Sequence, residues 1–223
     1  MRVVLTRLRR LLVAALLLAL LWLPAAPLAA EEIALAQGAP VEEAVFAGGC
    51  FWCLEHDLEH LPGVLEAVSG YSGGSLRQPT YRQVSAGGTG HQESVRVRFD
   101  PSRLSYATLL RAYWRNVDPL DGAGQFCDRG SSYRPVIFTS GAEQRTQAQA
   151  SLAAAARELN QPLSAIRVQI KPLKVFWPAE GYHQNYAEHN AVQYRYYRWA
   201  CGRDRRLDAI WGAQARRASA WNP

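Results

Sequence analysis

Two cysteines three residues apart, Cys50 and Cys53, occur in the stretch Gly-Gly-Cys-Phe-Trp-Cys-Leu-Glu. Thiols at this spacing can supply half of a zinc site, form a redox-active pair, or combine a nucleophile with the thiol that later resolves it. A structural disulfide within the pair is a fourth use. The rest of the chain has to decide among these uses.

A structural zinc site would need two more ligands at suitable spacing. Cys127 and Cys201 stand far apart in the sequence, without a second close pair. His56 and His60 are four residues apart on a predicted helix, where an exposed helix face explains them more simply. The sequence therefore gives little support to a zinc site.

The predicted elements place Cys50 where a reactive thiolate is favoured. Residues 42–47 form a predicted strand that ends in glycines, and residues 54–61 form a predicted helix that Pro62 and Gly63 close. A thiol at a helix N-terminus faces unpaired backbone N–H groups and the positive end of the helix dipole, which favour the ionised form. A thioredoxin-like oxidoreductase and other thiol enzymes both fit this pattern.

Strands and helices alternate along the chain. Alternating apolar and charged residues predict strands over 94–99 and 166–171, and an N-cap serine predicts a helix over 105–116. A capping-box pattern at Ser140 predicts a helix that runs to residue 159. Interspersed elements of this kind favour an α/β (α+β) fold, a two-layer sandwich with helices packed on a mixed sheet. Further strands are predicted over 64–71 and 133–138.

The sequence after Pro172 is rich in aromatic residues that follow no clear period, and it is predicted to be irregular up to Asp204 and helical beyond it. Such a segment packs against the core or lines a pocket, and packing is the commoner use of aromatic side chains. The aromatic residues are Phe176, Trp177, Tyr182, Tyr186, Tyr194, Tyr196, Tyr197 and Trp199.

The first 36 residues have the pattern of a secretory signal peptide. Four arginines precede an apolar run over residues 11–23, and prolines and alanines follow it. The run is short for a membrane-spanning helix. We expect cleavage near the triplet Ala34-Leu35-Ala36, which would leave residues 37–223 as a single exported catalytic domain.

Charge and cysteine content narrow the function classes further. The formal net charge of +6 falls to +4 without the leader, because the leader holds four arginines and two glutamates. No five-residue basic run suggests a nucleic-acid partner. Four cysteines are too few for a small disulfide-stapled scaffold, so a catalytic use of the thiols stays open.

Four motifs in the chain together resemble one family, peptide methionine sulfoxide reductase A, which reduces the S epimer of methionine sulfoxide. The resemblance runs from about Val45 to Trp199. It implies a two-layer α/β sandwich around a mixed sheet, with a ferredoxin-like core. In chain order the motifs are Gly49-Cys50-Phe51-Trp52, Pro79-Thr80-Tyr81, Thr89-Gly90-His91-Gln92-Glu93-Ser94-Val95 and Asp128-Arg129-Gly130-Ser131-Ser132-Tyr133.

The resemblance assigns the reacting groups. Cys50 corresponds to the nucleophile of the family and Glu93 to its acid. A sulfoxide oxygen cannot leave as a bare oxide, so a proton donor must act with the attacking sulfur, and a carboxylic acid kept protonated by burial can do this at neutral pH. Tyr81, Asp128 and Tyr133 correspond to polar groups around the sulfoxide oxygen.

Phe51 and Trp52 correspond to the apolar cradle of the S-methyl group, a soft group that aromatic walls suit. The implied reaction leaves Cys50 as a sulfenic acid, which a second thiol converts to a disulfide. Cys53 is the nearest thiol in sequence.

The identity of the resolving thiol is less clear. Many members of the family resolve with a cysteine in a glycine-rich C-terminal tail, and the charged sequence after Cys201 departs from this pattern. Cys53 is therefore favoured over Cys201 as the first resolving thiol. Cys127 adjoins Asp128 and is interpreted as a small buried residue.

The resemblance implies an enzyme that acts on free and protein-bound methionine sulfoxide without a metal or an organic cofactor. In an exported protein, the electrons would come from a thioredoxin-like dithiol protein, because an oxidising compartment has no glutathione buffer. We expect a monomer without stable membrane association after leader removal. Two alternatives stay open: a thioredoxin-type disulfide oxidoreductase and a noncatalytic domain held by zinc or disulfides.

Overall fold

The computed structural model describes residues 40–212 of the 223-residue chain. The predicted signal peptide and its cleavage site lie outside the described residues. Between residues 40 and 212, no helix combines the length and the apolar character that crossing a membrane requires.

A mixed six-stranded sheet forms the centre of the fold. In chain order the strands of the described residues are β1 (Glu42–Ala47), β2 (Val64–Ser72), β3 (Gln92–Phe99), β4 (Gly124–Gln125), β5 (Asp128–Arg129), β6 (Val136–Thr139), β7 (Gln169–Pro172) and β8 (Phe176–Pro178). The order in the six-stranded sheet is β7-β6-β1-β3-β2-β8, with β6 and β7 parallel and the other neighbours antiparallel. The remaining two strands, β4 and β5, form a separate hairpin.

The helices complete a ferredoxin-like core. The helices are α1 (Phe51–Glu59), α2 (Tyr81–Ser85), α3 (Tyr106–Arg115), α4 (Ala142–Glu158), α5 (Tyr186–His189), α6 (Ala191–Cys201) and α7 (Arg203–Trp211). The elements β1-α1-β2-β3-α3-β6, with sheet order β6-β1-β3-β2, form a βαββαβ unit, which confirms the predicted fold class.

The main hydrophobic core lies between the sheet and the helices. Phe46 of β1, Leu54 of α1, Leu109 of α3 and Ala155 of α4 belong to one buried cluster. Full burial of each large apolar side chain contributes about 1.5–3 kcal/mol. This core fixes the relative positions of β1, α1 and the strands beside them.

The alternation predicted for β3 is confirmed, because Val97 is buried in the core while its neighbours Arg96 and Arg98 stay partly exposed. The strand predicted from residue 133 begins only at Val136, because Ser131–Tyr133 form a 3-10 turn.

The predicted capping box at Ser140 is wrong. Gly141, with a φ of 94°, occupies the N-cap position of α4, and its lack of a side chain leaves no side-chain cap. The side-chain oxygen of Gln144 instead accepts a hydrogen bond of 2.9 Å from the backbone N–H of Ser140. The Ser140 side chain is therefore one residue too early for the capping role.

The segment from Pro172 to Asp204, predicted to be irregular, is largely helical, since it contains α5 and α6, whereas α7 lies where a helix was predicted. On α6, Tyr194 is buried and Tyr197 is half-buried, whereas Tyr196 and Trp199 are exposed. Because aromatic residues lie on both the buried and the exposed face of α6, its sequence lacks the apolar periodicity that predicts a helix.

Candidate active site

A glycine turn carries Cys50 from the end of β1 to the start of α1. Gly49 has a φ of 84°, a conformation that favours glycine. A Cβ atom at Gly49 would also lie 2.7 Å from the Cβ atom of Gln125. The glycine before Cys50 is therefore required both by backbone conformation and by space.

The register of the sheet brings Glu93 to this turn. Ala47, the last residue of β1, is paired with Ser94 of β3, so the chain that leaves β1 passes beside Glu93. The backbone N–H of Phe51, an unpaired donor of the first helical turn, donates a hydrogen bond of 3.1 Å to Oε2 of Glu93. This bond holds the carboxyl group against the N-terminus of the helix that begins after Cys50.

A cavity of about 80 Å³ joins the predicted site residues. A larger cavity of about 510 Å³ lies elsewhere, between α1 and β2, and its lining contains no cysteine or tyrosine. The chemistry selects the smaller one. It is lined by Cys50, Phe51, Trp52, Tyr81, Glu93, Asp128, Tyr133 and Tyr197, which are all seven predicted reacting or substrate-binding residues and one more.

Glu93 is suited to act as an acid at neutral pH. Its residue is only 2% exposed. Burial raises the pKa of the carboxyl group to about 8, against the hydrogen bond from the Phe51 N–H, and the nearby charge of Asp128 adds to the increase. The group is therefore mostly protonated at pH 7.

The two thiols of the motif have different environments. Burial raises the pKa of Cys50 well above its usual value, and Cys53, Glu93 and Asp128 add to the increase. The predicted preference for thiolate at the helix N-terminus is thus outweighed by burial. The hydrogen bond with Cys50 lowers the pKa of Cys53 to about 7, against burial, and the charge of Arg203 contributes.

Polar groups from three separate elements surround the rest of the cavity. Tyr81 starts α2, Tyr133 ends the 3-10 turn, and Asp128 lies in the β4–β5 hairpin. Burial raises the pKa of Tyr81 to about 12 and that of Tyr133 further above its usual value, so both hydroxyl groups keep their protons and can donate. Burial also raises the pKa of Asp128, against a hydrogen bond from Tyr197.

The aromatic wall is fixed by contacts that the sequence did not reveal. The ring of Trp52 stacks on Tyr186 with centroids 3.7 Å apart and planes at 7°. Its Nε1–H donates a hydrogen bond of 3.0 Å to Nδ1 of His183. The ring of His183 also lies 4.9 Å from that of Phe51. These contacts set the orientation of the cradle predicted for the S-methyl group.

Tyr197 and Arg203 are site residues that sequence reasoning missed. Tyr197 lines the cavity and donates a hydrogen bond of 2.6 Å to Oδ2 of Asp128. The guanidinium group of Arg203 is buried and donates to the backbone oxygens of Gly48 (3.3 Å) and Asn116 (2.7 Å), which braces the turn before Cys50. Arginine is rarely fully buried without partners, so no sequence rule signalled this role.

The remaining two cysteines, Cys127 and Cys201, form a disulfide across 74 residues of sequence. The interpretation of Cys127 as a buried residue is wrong, because it lies exposed in the tight turn between β4 and β5. Cys201, a predicted resolving thiol, is bonded to Cys127, while Cys50 and Cys53 are free thiols.

The zinc alternative lacks ligands around the motif. Among residues 40–212, neither Cys50 nor Cys53 belongs to a group of three or more His, Cys, Asp or Glu side chains close enough to share a metal ion. His56 and His60 instead cluster with Glu59.

Comparisons with known proteins agree with this geometry. The family model for peptide methionine sulfoxide reductase matches residues 42–215. The peptide methionine sulfoxide reductase MsrA 2 of Caulobacter vibrioides is 53% identical over 171 residues, covering 77% of this chain and 86% of that protein. The chain belongs to the peptide methionine sulfoxide reductase A family. It is therefore a thiol-dependent methionine sulfoxide reductase.

Other relatives of this reductase extend the match. The peptide methionine sulfoxide reductase MsrA of Listeria innocua is 44% identical over 173 residues, covering 77% of this chain and 96% of that protein. The solved structure of methionine sulfoxide reductase A from Corynebacterium diphtheriae is similar with a TM-score of 0.63 at 31% identity, over 68% of this chain and 76% of that one. The reduced form of Mxr1 from Saccharomyces cerevisiae gives 0.64 at 25% identity, over 69% and 87%.

Proposed function

We propose that this enzyme reduces the S epimer of methionine sulfoxide, free and protein-bound, and thereby repairs exported proteins. One observation carries the proposal: the Phe51 N–H holds the buried Glu93 carboxyl group beside Cys50 in a cavity that their side chains share. A nucleophile and an acid in one small cavity are what sulfoxide reduction requires.

In the proposed first step, the sulfur of Cys50 attacks the sulfoxide sulfur while Glu93 gives its proton to the oxygen. The proton of the Cys50 thiol replaces the one that Glu93 gave. The hydroxyl group then moves from the substrate sulfur to the Cys50 sulfur, so that the sulfur–oxygen bond of the substrate and the new sulfur–sulfur bond both break. Methionine leaves, and Cys50 is left as a sulfenic acid. Atoms and charge balance without any group from outside the cavity.

The surrounding residues hold the substrate during this step. The Tyr81 and Tyr133 hydroxyl groups donate to the sulfoxide oxygen, since burial keeps both protonated. The Asp128 carboxyl group lies across the cavity as a further polar contact. The rings of Phe51 and Trp52 enclose the S-methyl group, a soft group that aromatic walls suit.

In the second step, the thiol of Cys53 condenses with the sulfenic acid of Cys50, which forms a disulfide and releases water. The hydrogen bond between these thiols and the lowered pKa of Cys53 support this order. The alternative resolving thiol, Cys201, is engaged with Cys127. Every step uses thiols and one carboxylic acid, so the scheme needs neither a metal nor an organic cofactor.

A thioredoxin-like dithiol protein is proposed to restore the thiols, in the periplasm or outside the cell. The arginine-flanked apolar run at the N-terminus supports export. After leader removal, we propose a monomer without stable membrane association. Methionine oxidation places a polar group in apolar packing, so exported proteins would lose stability without such repair.

Stereochemistry tests the activity directly. Fully reduced, desalted protein is mixed with racemic N-acetylmethionine sulfoxide without added reductant, and each epimer is quantified by chiral chromatography. Loss of the S epimer alone is expected, and a Cys50→Ser variant, checked for folding by circular dichroism, should consume neither epimer. Disulfide exchange without sulfoxide loss would overturn the proposal in favour of a thioredoxin-type oxidoreductase.

The location has its own test. Cells that express the full chain are fractionated, and the N-terminus of the recovered protein is sequenced. A periplasmic or extracellular product that begins near residue 37 is expected. Recovery of uncleaved protein in the cytoplasm would contradict the proposed export but not the proposed reaction.

A further inference from the structure

A cluster of ligand-type side chains lies at the end of α1 that is far from Cys50. His56, Glu59 and His60 each offer an atom that can bind a metal ion, and these three atoms lie within 4.8 Å of one another. Residues three and four apart on a helix share one face. The helix therefore brings two imidazole groups and one carboxylate together.

The distances in this cluster suit a tetrahedral metal ion. Nδ1 of His56 lies 3.6 Å from Oε1 of Glu59, which is too far for a good hydrogen bond. Two ligand atoms at the usual bond lengths to tetrahedral zinc, about 2.0–2.2 Å, lie about 3.3–3.6 Å apart. The two atoms thus have the separation that a shared ion would set.

Burial leaves the same two atoms in need of a partner. Nδ1 of His56 and Oε1 of Glu59 are both shielded from solvent, and neither has a hydrogen-bond partner among residues 40–212. A buried polar atom without a partner destabilises a fold, so native proteins rarely keep one. One bound cation would satisfy both atoms.

His60, the C-cap residue of α1, is oriented for the same role. Its Nδ1–H donates a hydrogen bond of 2.8 Å to the backbone oxygen of His56, which leaves a lone pair on Nε2. Histidines that bind metals usually donate their other N–H to a carbonyl or carboxylate oxygen in this way. The rings of His56 and His60 lie 4.8 Å apart.

The charges around the cluster favour a cation. The cluster lies at the C-terminus of α1, the negative end of the helix dipole. The neighbouring Glu59 carboxylate raises the pKa of His56, against the effect of burial, so positive charge is stabilised there. The charge of Arg198 opposes this, but Asp57 neutralises Arg198 in an ion pair of 2.9 Å.

The cavity of about 510 Å³ between α1 and β2 gives an ion access to the cluster. Its lining includes Glu59, His60 and Glu188. The side chain of His60 is itself 56% exposed. A metal ion can therefore reach the cluster from solvent without opening the core.

A further ligand can come from α5. Oε1 of Glu188 lies 3.9 Å from Nε2 of His60, and the Glu188 side chain is 58% exposed, so it has room to turn toward the cluster. The same short helix carries Tyr186, whose ring stacks on Trp52 in the wall of the active-site cavity. An ion held by both helices would therefore support the position of this wall.

We propose that the cluster on α1, completed by Glu188 of α5, binds Zn²⁺ or a similar divalent transition metal ion and so links the two helices. Imidazole and carboxylate groups are ligands of such ions, and two histidines four residues apart on a helix are a known zinc-binding arrangement. Cys50 precedes His56 and His60 by about 9–15 Å along the helix. The ion would therefore take no part in sulfoxide reduction.

Isothermal titration calorimetry with ZnCl₂ tests the site. The protein is freed of metal with a chelator, desalted and titrated at pH 8, where metal-binding histidines are neutral. At concentrations that saturate the wild type, the double variant His56→Gln, His60→Gln should bind one ion fewer per chain. His189→Gln is the matched control, because it removes an exposed histidine next to Glu188 that lies outside the cluster, and it should bind as the wild type does.

Circular dichroism checks that each variant is folded. Equal numbers of ions bound by the wild type and the double variant would overturn the proposal, because the zinc would then be held elsewhere, for example by the thiols of Cys50 and Cys53. The absence of binding by the wild type would overturn it as well. Neither outcome bears on the proposed function, which uses no metal.

Hydrogen exchange tests the link between the helices. Zn²⁺ should slow exchange of the backbone amides of α5, and at about a hundred times its Kd it should raise the Tm by about 5–10 °C. In a Glu188→Gln variant, the ion should still bind α1, but exchange in α5 should no longer slow. Equal slowing in both proteins, or none in the wild type, would overturn the link to α5.

Discussion

The two walls of the cavity are built differently. The inner wall, Cys50, Phe51 and Glu93, lies on the turn after β1, the first residue of α1 and β3, where backbone pairing and the main core hold it. Part of the outer wall comes from the β4–β5 hairpin and α6, which a side-chain hydrogen bond and one disulfide join. The comparison teaches that the proposed bond-breaking chemistry stands on the part of the fold that the sheet and the main core hold, whereas this outer part is held by one side-chain hydrogen bond and one disulfide.

A substitution in the inner wall should give the largest loss of sulfoxide reductase activity. In a Glu93→Gln variant, the amide oxygen can still accept from the Phe51 N–H, so the fold should persist, but no proton can be given to the sulfoxide oxygen. We expect the single-turnover rate to fall about a hundredfold or more. Wild-type turnover in a folded variant would show that Glu93 is not the proton donor. It would also contradict the expectation that the inner wall gives the largest loss of rate.

The pH dependence of the single-turnover rate should reflect the titration of Glu93. The pKa of Glu93 is raised to about 8, so the proton is present below that pH and is lost above it. The single-turnover rate should therefore fall about tenfold per pH unit above about 8. Rates of wild type and Glu93→Gln from pH 6 to 10 provide the measurement. The variant should lack this decline, and an equal decline in both would assign it to another group.

A substitution in the outer wall should give a smaller loss of sulfoxide reductase activity. A Tyr197→Phe variant loses the hydrogen bond to Asp128, and a bond to a charged group contributes about 1.5–3 kcal/mol. We expect about a tenfold loss in the rate of reduction, because Asp128 loses its fixed orientation. Single-turnover rates measured over a range of substrate concentrations would separate binding from chemistry.

Tyr196→Phe is the matched control, since it removes a hydroxyl group from the adjacent residue of α6, which is 69% exposed. It should leave the rate unchanged. Equal losses in the two variants would mean that α6 acts through its general stability and not through Tyr197.

The sequence predicted the inner wall more completely than the outer one. Local patterns predicted the strand, the glycine turn and the helix around Cys50 and the alternation of β3, and the family resemblance then assigned the roles of Cys50 and Glu93. Tyr197 was missed because exposed aromatic residues surround it on α6. A helical face can be recognised only when its period shows.

Long-range contacts account for the other failures. The pairing of Cys127 with Cys201 spans 74 residues and depends on where α6 meets the β4–β5 hairpin, which no local pattern specifies. Arg203 is a charged residue at the start of α7, and composition alone would place it in solvent. Its burial depends on carbonyl oxygens that only the folded chain brings together.

The size of the cavity limits what the enzyme can repair. Pockets that enclose whole drug-sized ligands measure about 300–1,000 Å³, whereas this one holds about 80 Å³, enough for the end of one side chain. The oxidised residue must therefore extend out of its own protein to react. A sulfoxide inside a folded core becomes a substrate only when that core opens locally. The free energy of local opening in the damaged protein therefore sets how fast its buried sulfoxides are reduced.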